Sequence, residues 1–329
     1  MRKALIVGID DYPNIPLSGC VNDANKMEGV LKRHEDGSPN FQYKKLVAPR
    51  QPTTSSIMPI TRSILKKHLE DLFRDECDVA LFYFSGHGTE NILGGYLVTL
   101  DYEKNDPGIS MQDILTLANK SKAHEVVIIL DCCDSGNFGK IPALDNAGVF
   151  LREGISVLTA SLADQSSIEV NGGGIFTALV YEALKGGASD VIGHVNVANI
   201  YAYVDQILGA WDQRPLIMSH ISKLLPIRKC KPQVDLAILR RLPEYFPASN
   251  YQYPLDPSYE WDKHDAGPDY QTRDPEHETI FSHFQKYRDA YLLVPVGEDH
   301  LYYAAIHSKA CKLTALGQFY WNLAHQGKI

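Results

Sequence analysis

Short apolar runs alternate with helical periodicities along roughly the first 230 residues. The runs at residues 3–8, 79–84 and 126–130 are continuous and rich in β-branched and aromatic residues, which predicts buried strands. Between them, apolar residues recur at three- and four-residue steps, as at 23–32 and 60–74, which predicts amphipathic helices. Strands this apolar, separated by helices, predict an α/β fold with a mostly parallel sheet and helices on both faces.

The composition changes after about residue 226, where prolines become frequent and tyrosines and acids fill the gaps. This change predicts three parts: a domain over residues 1–228, a Pro/Tyr-rich connector over 229–275, and a small module over 276–329. In the last part, the helical pattern at 277–292, the strand-like run at 301–307 and the helical pattern at 313–323 predict a winged-helix-like α+β module. We expect this module to bind a regulatory protein partner.

Polar motifs follow two of the predicted strands directly. Ser-Gly-His-Gly occupies 85–88, and Asp-Cys-Cys-Asp-Ser-Gly occupies 131–136. Because the carboxyl ends of parallel strands meet at one edge of a sheet, we expect His87 and Cys133 to face one another across a cleft there. A thiolate attacks an amide carbonyl with a histidine as its proton partner and N–H donors for the oxyanion. The backbone N–H groups of Gly88 and Cys133 are the predicted oxyanion donors.

These motifs, in this order, resemble those of the caspase/metacaspase superfamily. Gly-Cys-Val-Asn-Asp-Ala at 19–24 is similar to a metacaspase segment, and 156–161 followed by 174–177 agrees more loosely. The resemblance implies a caspase-like sheet and a cysteine endopeptidase, a hydrolase of peptide bonds. It also implies that Cys133 is the nucleophile and His87 its partner.

The resemblance further implies which peptide bonds are cut. True caspases cleave after aspartate through an arginine-lined pocket, but their Gln-Ala-Cys segment is absent here. In metacaspases the acids at the positions of Asp23 and Asp131 line the specificity pocket. Two carboxylates favour an Arg or Lys side chain through charge-assisted hydrogen bonds, so the expected partner is a protein or peptide with a basic residue before the cut. Ser85 either contacts the substrate or stabilises its own turn.

Each assignment has a plainer alternative that the sequence leaves open. His87 can be a structural histidine at a strand end, and Cys133 a buried core thiol. Cys132 should point away from its neighbour, because successive strand residues face opposite sides, but the two cysteines can have exchanged roles. Asp23 can cap the helix that it starts, and Asp131 can bind a loop amide.

The sequence predicts no cofactor and no resident metal. It has no Cys-x-x-Cys pair or His/Cys cluster for zinc, and the calcium-binding acids of metacaspases are not clearly matched. Asp134 stands where many metacaspases have a histidine. The loop that contains the acidic residues Asp101, Glu103 and Asp106 is the one candidate for calcium binding.

Net charge and hydropathy argue against two classes of partner, nucleic acids and membranes. The formal net charge of −8 argues against a nucleic-acid partner. No stretch approaches the roughly 20 apolar residues of a membrane span, and no targeting signal precedes the first strand, so a cytoplasmic protein without a membrane partner is expected.

The main hypothesis is therefore a regulated cysteine endopeptidase, with a role in bacterial antiviral defence or cell death by analogy. A partner protein or self-cleavage after Arg50, Lys140 or Arg152 would regulate it. The first alternative is a catalytically silent caspase-like scaffold or regulatory binding protein. The second is a nucleic-acid-binding regulator, against which the acidic balance of the residues from 229 onward argues.

Overall fold

The structure is a computed structural model that describes residues 1–50, 59–91, 94–103, 106–133, 151–160, 173–209, 215–262 and 274–329, with the backbone alone at Asn91 and Cys133. These residues form two units. One comprises Met1–Ser189 and His194–Lys231, and the other comprises Asp190–Gly193 and Pro232–Ile329. The three-part division at residues 228 and 275 stays a prediction. Within the described ranges, no helix has both the length and the apolar character to cross a lipid bilayer.

An eight-stranded sheet forms the centre of the first unit. Its main path has the order β2-β1-β3-β6-β7-β9, with β4 paired to β3 and β5 paired to β4. All pairs from β2 to β7 along this path are parallel, and β9 closes the edge antiparallel to β7. The predicted, mostly parallel sheet is therefore confirmed. The strands of this unit are β1 (Arg2–Ile9), β2 (Gln42–Ala48), β3 (Val79–Asn91), β4 (Gly94–Glu103), β5 (Asp106–Ser110), β6 (Glu125–Cys133), β7 (Ile155–Thr159), β8 (His194–Val195), β9 (Leu216–His220) and β10 (Arg228–Lys229).

Helices cover both faces of this sheet, as the apolar runs predict. On β3, Phe82 and Phe84 belong to one buried cluster with residues of α2 and α3. The alternate residues Leu81 and Tyr83 belong to a second cluster with residues of α1, α4 and α5. A central strand with two buried faces has no polar side to expose, which explains its unbroken apolar run. The helices are α1 (Cys20–Leu31), α2 (Arg62–Arg74), α3 (Met111–Lys120), α4 (Ile175–Glu182) and α5 (Val197–Leu208).

Two helix starts bring polar groups toward the carboxyl edge of the sheet. Helix α1 begins directly after Gly19, whose φ of 108° is a left-handed conformation that favours glycine. Helix α4 begins directly after Gly174, whose backbone is extended. Both helices belong to the same buried cluster, so their first turns lie on one side of β3 and β6.

The second unit combines a small antiparallel sheet with helices. The sheet has the order β11-β13-β12. The strand predicted at 301–307 is wrong, because Leu301–Ile306 is a helix that buries Leu301, Ala304 and Ala305 at helical spacing. A winged-helix-like module stays a prediction. The elements are α6 (Leu236–Leu239), α7 (Leu242–Tyr245), β11 (Gln252–Pro254), α8 (Pro275–Asp289), β12 (Leu293–Val296), α9 (Leu301–Ile306), β13 (Ala310–Leu313) and α10 (Ala315–His325).

Candidate active site

The two polar motifs lie side by side at the carboxyl end of the central strands. In the parallel ladder between β3 and β6, Ser85 is the partner of Asp131, and His87 is the partner of Cys133. Neighbouring strands run about 4.8 Å apart, so the two backbones are in direct contact. The expected adjacency of the two motifs is therefore present in the backbone.

The imidazole of His87 is buried and held on two sides. Its Nε2 lies 2.8 Å from the carbonyl oxygen of Ile15, and its ring centroid lies 4.6 Å from that of Tyr12. The backbone N–H of His87 donates to the Tyr12 hydroxyl at 3.1 Å. Because a carbonyl only accepts, Nε2 carries the hydrogen, and in a neutral ring Nδ1 then carries the lone pair.

The expectation of an open cleft at His87 is wrong, because only 1% of the residue is exposed. The segment that follows β1 supplies Tyr12 and Ile15, which contact the ring. An unexposed imidazole keeps the structural-histidine alternative open.

The two cysteines differ in what surrounds them. Cys132 is partly buried and packs against the cluster that contains Phe82 and Phe84. A Cβ at Gly88 would lie 3.1 Å from the Cβ of Cys132, so the glycine permits this close approach of the two strands. The packing of Cys132 agrees with its predicted core role, while the catalytic role of Cys133 stays a prediction. Asp134, Ser135 and Gly136, and likewise Lys140 and Ser161, lie outside the described residues.

Two buried carboxylates lie beside this pair, and both bind the start of α4. Asp131 accepts from the Oγ1 of Thr177 at 2.5 Å and from its backbone N at 3.3 Å. Asp23 accepts from the backbone N of Gly174 at 2.9 Å. Helix α1 has Gly19 as its N-cap without a side-chain cap, so the alternative that Asp23 caps this helix is wrong. Asp131 binds a backbone amide, but this amide belongs to Thr177 in the first turn of α4 and not to a loop, as the alternative had it.

Burial makes both acids hold their protons more tightly. The pKa of Asp23 is raised to about 6, mainly by burial and in part by the nearby charge of Asp131, against the opposing effects of the Gly174 N–H and Lys26. Burial also raises the pKa of Asp131, against the two hydrogen bonds from Thr177. A cation placed next to these two carboxyl groups would stabilise their ionised forms.

Glycines leave the room that these carboxylates occupy. A Cβ on Gly174 would lie 2.5 Å from the Oδ2 of Asp131, and a Cβ on Gly173 would overlap the Oδ1 of Asp23. Lys26 is the cation already present, with its Nζ 3.4 Å from the Oδ1 of Asp23.

Ser85 adds a buried hydroxyl to the two buried carboxylates. Ser85 is fully buried, and its Oγ has no hydrogen-bond partner among the residues that the structure describes. The hydroxyl of Tyr83 instead lies 2.6 Å from the Oγ1 of Thr177. Leaving a buried hydroxyl without a partner costs about 1–3 kcal/mol, so a substrate donor or acceptor that reaches Ser85 would recover this energy.

The acidic loop considered for calcium is used within the protein. Asp101 accepts from the backbone N of Arg62 and from the Oγ1 of Thr99, and Asp106 forms an ion pair with Arg62. Within the described part of the chain, no group of three or more His, Cys, Asp or Glu side chains is arranged to hold a metal ion.

Comparison with known proteins identifies the first unit. A family model described as the caspase domain matches residues 1–226. The chain therefore belongs to the caspase-domain family, and residues 1–226 are its caspase domain.

Metacaspases are among the proteins to which the chain is similar in sequence. Metacaspase-5 of Trypanosoma cruzi is 34% identical over 154 residues, which cover 43% of this chain and 34% of that protein. Metacaspase-2 of Trypanosoma brucei brucei is 29% identical over 154 residues, which cover 43% of each chain. The match thus spans between about one third and two fifths of these relatives.

Two solved structures resemble the chain at low sequence identity. A protein from Geobacter sulfurreducens superposes with a TM-score of 0.50 at 15% identity, covering 70% of this chain and 98% of that one. Caspase-1 from Spodoptera frugiperda gives a TM-score of 0.49 at 15% identity, with 70% and 90% covered. The Geobacter likeness agrees with the α/β fold described above.

Proposed function

We propose that the chain is a cysteine endopeptidase with Cys133 as nucleophile and His87 as its acid–base partner, cleaving after Arg or Lys. One observation carries this proposal. His87 and Cys133 are partners in the ladder between β3 and β6, and the buried carboxylates of Asp23 and Asp131 lie beside them. This arrangement supports the proposal that a nucleophile, a base and a pocket for a cation share one edge of the sheet.

The tautomer of His87 suits this chemistry. The carbonyl of Ile15 accepts the Nε2 hydrogen, so Nδ1 is the nitrogen that can take the proton of the Cys133 thiol. The thiolate then attacks the substrate carbonyl, and the imidazolium returns its proton to the leaving amine. Water releases the acyl group from the sulfur, with His87 again acting as the base.

The oxyanion formed in each step needs preorganised donors. Gly88 lies within β3, directly after the last residue of β3 that pairs with β6, and Cys133 is the last residue of β6. Removal of one such donor slows comparable enzymes by about 10²–10³. We keep these two N–H groups as the proposed donors.

Asp23 and Asp131 account for the proposed preference for a basic residue before the cut. A guanidinium or ammonium group between Asp23 and Asp131 would replace their mutual repulsion by two charge-assisted hydrogen bonds. Ser85 would accept a further hydrogen bond from the same cation. The substrate must displace Lys26 from Asp23, which favours a side chain that reaches both acids at once.

The burial of His87 means that the proposed activity would have to be regulated. A substrate reaches its ring only after the surrounding residues move, so the proposed active state differs locally from the described one. Self-cleavage after Arg152 is disfavoured, because its backbone N and the two terminal nitrogens of its guanidinium are hydrogen-bonded. Of the two candidates for self-cleavage that lie among the described residues, Arg50 is the better one, because it is exposed. A partner that binds residues 276–329, and a defence or cell-death role, stay predictions.

The test compares two neighbouring cysteines. Wild type, Cys133→Ala and Cys132→Ala are assayed on fluorogenic peptides ending in Arg, Lys or Asp, with and without calcium. We expect wild type and Cys132→Ala to cleave the Arg and Lys peptides, and Cys133→Ala to lose at least about 10³-fold in kcat/KM. Equal cleavage by wild type and Cys133→Ala would refute the nucleophile, and cleavage only after Asp would refute the pocket.

A catalytically silent scaffold is the second candidate, and the covered imidazole of His87 favours it. It predicts no cleavage by wild type after limited proteolysis or with added calcium. It also predicts that Cys133→Ala binds the same proteins from a cell extract as wild type does.

A further inference from the structure

A second cavity lies at the amino end of the central strands, opposite the edge that carries His87 and Cys133. Its lining includes Asp78, which directly precedes β3, Glu125, the first residue of β6, and Gly154, which directly precedes β7. Strand β6 runs from Glu125 to Cys133, which separates the cavity from the proposed nucleophile by about 26 Å. The cavity measures about 730 Å³. This volume lies within the range of about 300–1,000 Å³ that is usual for small-molecule sites.

Hydrogen bonds join the segments that form the walls of this cavity. The guanidinium of Arg152 donates to the carbonyl oxygen of Ala123 at 2.7 Å. The backbone N–H of Leu225 donates to the Oε2 of Glu125 at 2.9 Å. The walls are therefore fixed relative to one another. Within the first unit, the segments concerned are 121–125, 152–154 and 222–225.

Two buried polar atoms of the lining have no hydrogen-bond partner among the described residues. They are the Oε1 of Glu125, a residue of 2% exposure, and the Nε of Arg152. In the described part of the chain, the only other buried side-chain atoms of this kind are the hydroxyls of Ser85 and Thr159, which lie toward the opposite edge of the sheet. Burying a polar atom without a partner costs free energy, so a ligand that reaches Glu125 and Arg152 would recover it.

The charged groups of the lining favour an anion. Lys122 and Lys223 are exposed, and neither has an ion-pair partner within the described ranges. Of the acids, Asp78 forms an ion pair with the amino group of Met1 at 2.6 Å, and Glu153 accepts from a neighbouring hydroxyl. Two ammonium groups without acidic partners, together with a guanidinium, suit a ligand that carries two negative charges.

Glu125 can donate a hydrogen bond to such a ligand when it is neutral. Burial raises the pKa of Glu125 to about 7, against the opposing effects of the Leu225 N–H and Arg2. At neutral pH about half of the molecules therefore carry the neutral carboxyl group. Because Oε2 accepts from Leu225, the added hydrogen belongs on Oε1, where an anionic oxygen can accept it.

We propose that this cavity binds a phosphate group, either free or as the ester of a small molecule, through Lys122, Lys223, Arg152 and Glu125. Guanidinium and ammonium groups are the usual protein partners of phosphate. The cavity has room for more than one phosphate group, so an ester should bind more tightly than the free ion. The inference is independent of the proposed endopeptidase function, because binding requires neither catalytic group.

The first experiment titrates the full chain by isothermal calorimetry in a buffer without phosphate. The probes are inorganic phosphate, glycerol 3-phosphate and adenosine monophosphate, with glycerol and adenosine as matched compounds that lack the phosphate. We expect saturable binding of phosphate compounds, with at least about tenfold weaker binding of the matched compounds. Tighter binding of an ester than of inorganic phosphate assigns the site to a phosphorylated small molecule, and equal binding assigns it to free phosphate.

The second experiment locates the binding site with two double variants. Lys122→Gln/Lys223→Gln should weaken binding of the tightest phosphate compound by about tenfold or more, because each ammonium group forms a charge-assisted hydrogen bond. Lys66→Gln/Lys67→Gln removes the same charge from exposed positions of α2 and should leave the Kd within about twofold, since screened charges at a distance contribute little.

A third measurement tests the part assigned to Glu125. Glu125→Gln stays neutral, so it separates this acid from other titrating groups, among them His124 and the phosphate itself. The Kd of wild type relative to that of Glu125→Gln should rise about tenfold between pH 6 and pH 8, as the wild-type acid ionises. A ratio that does not change with pH overturns the role of Glu125.

Two results overturn the inference as a whole. One is the absence of saturable binding for every phosphate compound, and the other is equal weakening by the two double variants. Neither result bears on cleavage by Cys133, so the proposed function fails or stands by its own test.

Discussion

Replacement of Asp23 by Asn should make the fold more stable at neutral pH while it weakens the proposed basic-residue pocket. The native pKa of Asp23 is raised from 3.8 to about 6, so the folded chain binds this proton more tightly than the unfolded chain does. The stabilisation is fully present below pH 3.8 and is lost as the pH rises through about 6. At about 1.36 kcal/mol per pKa unit, the ionised side chain costs about 3 kcal/mol of unfolding free energy at pH 8. An uncharged amide would avoid this cost and can still accept from Gly174.

The assay is urea unfolding of wild type and Asp23→Asn at several pH values, followed by circular dichroism. Between pH 5 and pH 8, the variant should gain about 1.4 kcal/mol relative to wild type, because much of the ionisation cost is already present at pH 5. Asp113→Asn, on an exposed position of α3, controls for the loss of a carboxylate elsewhere. The reasoning is refuted if the difference in stability between Asp23→Asn and wild type does not depend on pH. It is also refuted if the variant is less stable at pH 8.

Two further substitutions test the supports of the site. Tyr12→Phe removes the hydroxyl that binds the His87 N–H and the Val98 carbonyl. It should lower the unfolding free energy by about 1–3 kcal/mol and reduce kcat more than it raises KM, as urea titration and peptide kinetics would show. Thr177→Val removes the hydroxyl donor to Asp131 and should destabilise by about 1.5–3 kcal/mol in the same titration. Thr159→Val is its control, because the buried Oγ1 of Thr159 has no partner among the described residues; a loss as large as that of Thr177→Val would contradict the explanation.

The sequence was sufficient for the sheet and for the adjacency of the two motifs. Continuous apolar runs at 79–84 and 126–130 occur because β3 and β6 have two buried faces, and their short length and β-branched and aromatic residues favour strands over buried helices. Once those strands are parallel neighbours, the residues after them must meet at one edge. The pairing of His87 with Cys133 therefore follows from topology.

The environment of the site could not be predicted in the same way. The group that orients His87 is the carbonyl of Ile15, and every residue has a carbonyl, so no residue type marks the position. The burial of His87 depends on how the loop after β1 folds over the strand end, which periodicity does not encode. The sequence did point to Thr177, since Gly-Ile-Phe-Thr at 174–177 is one of the segments that carry the resemblance. Its hydrogen bond to Asp131 could not be predicted, because it depends on where α4 lies in the fold. Helix α9 was misread because a short alternation of apolar and small residues suits both a strand and one face of a helix.

The stability costs of the site are concentrated in the groups that the proposed substrate would contact. Asp23 and Asp131 are buried near one another with raised pKa values, and the Ser85 hydroxyl is buried without a described partner. A domain selected for stability alone would replace such groups with apolar residues, because buried charges cost more than they return unless well paired. One cation placed between the two acids would remove their repulsion and satisfy the hydroxyl at the same time. The same physical features that weaken the empty fold would thus give a basic side chain its binding energy, which supports the proposal that this pocket binds the substrate.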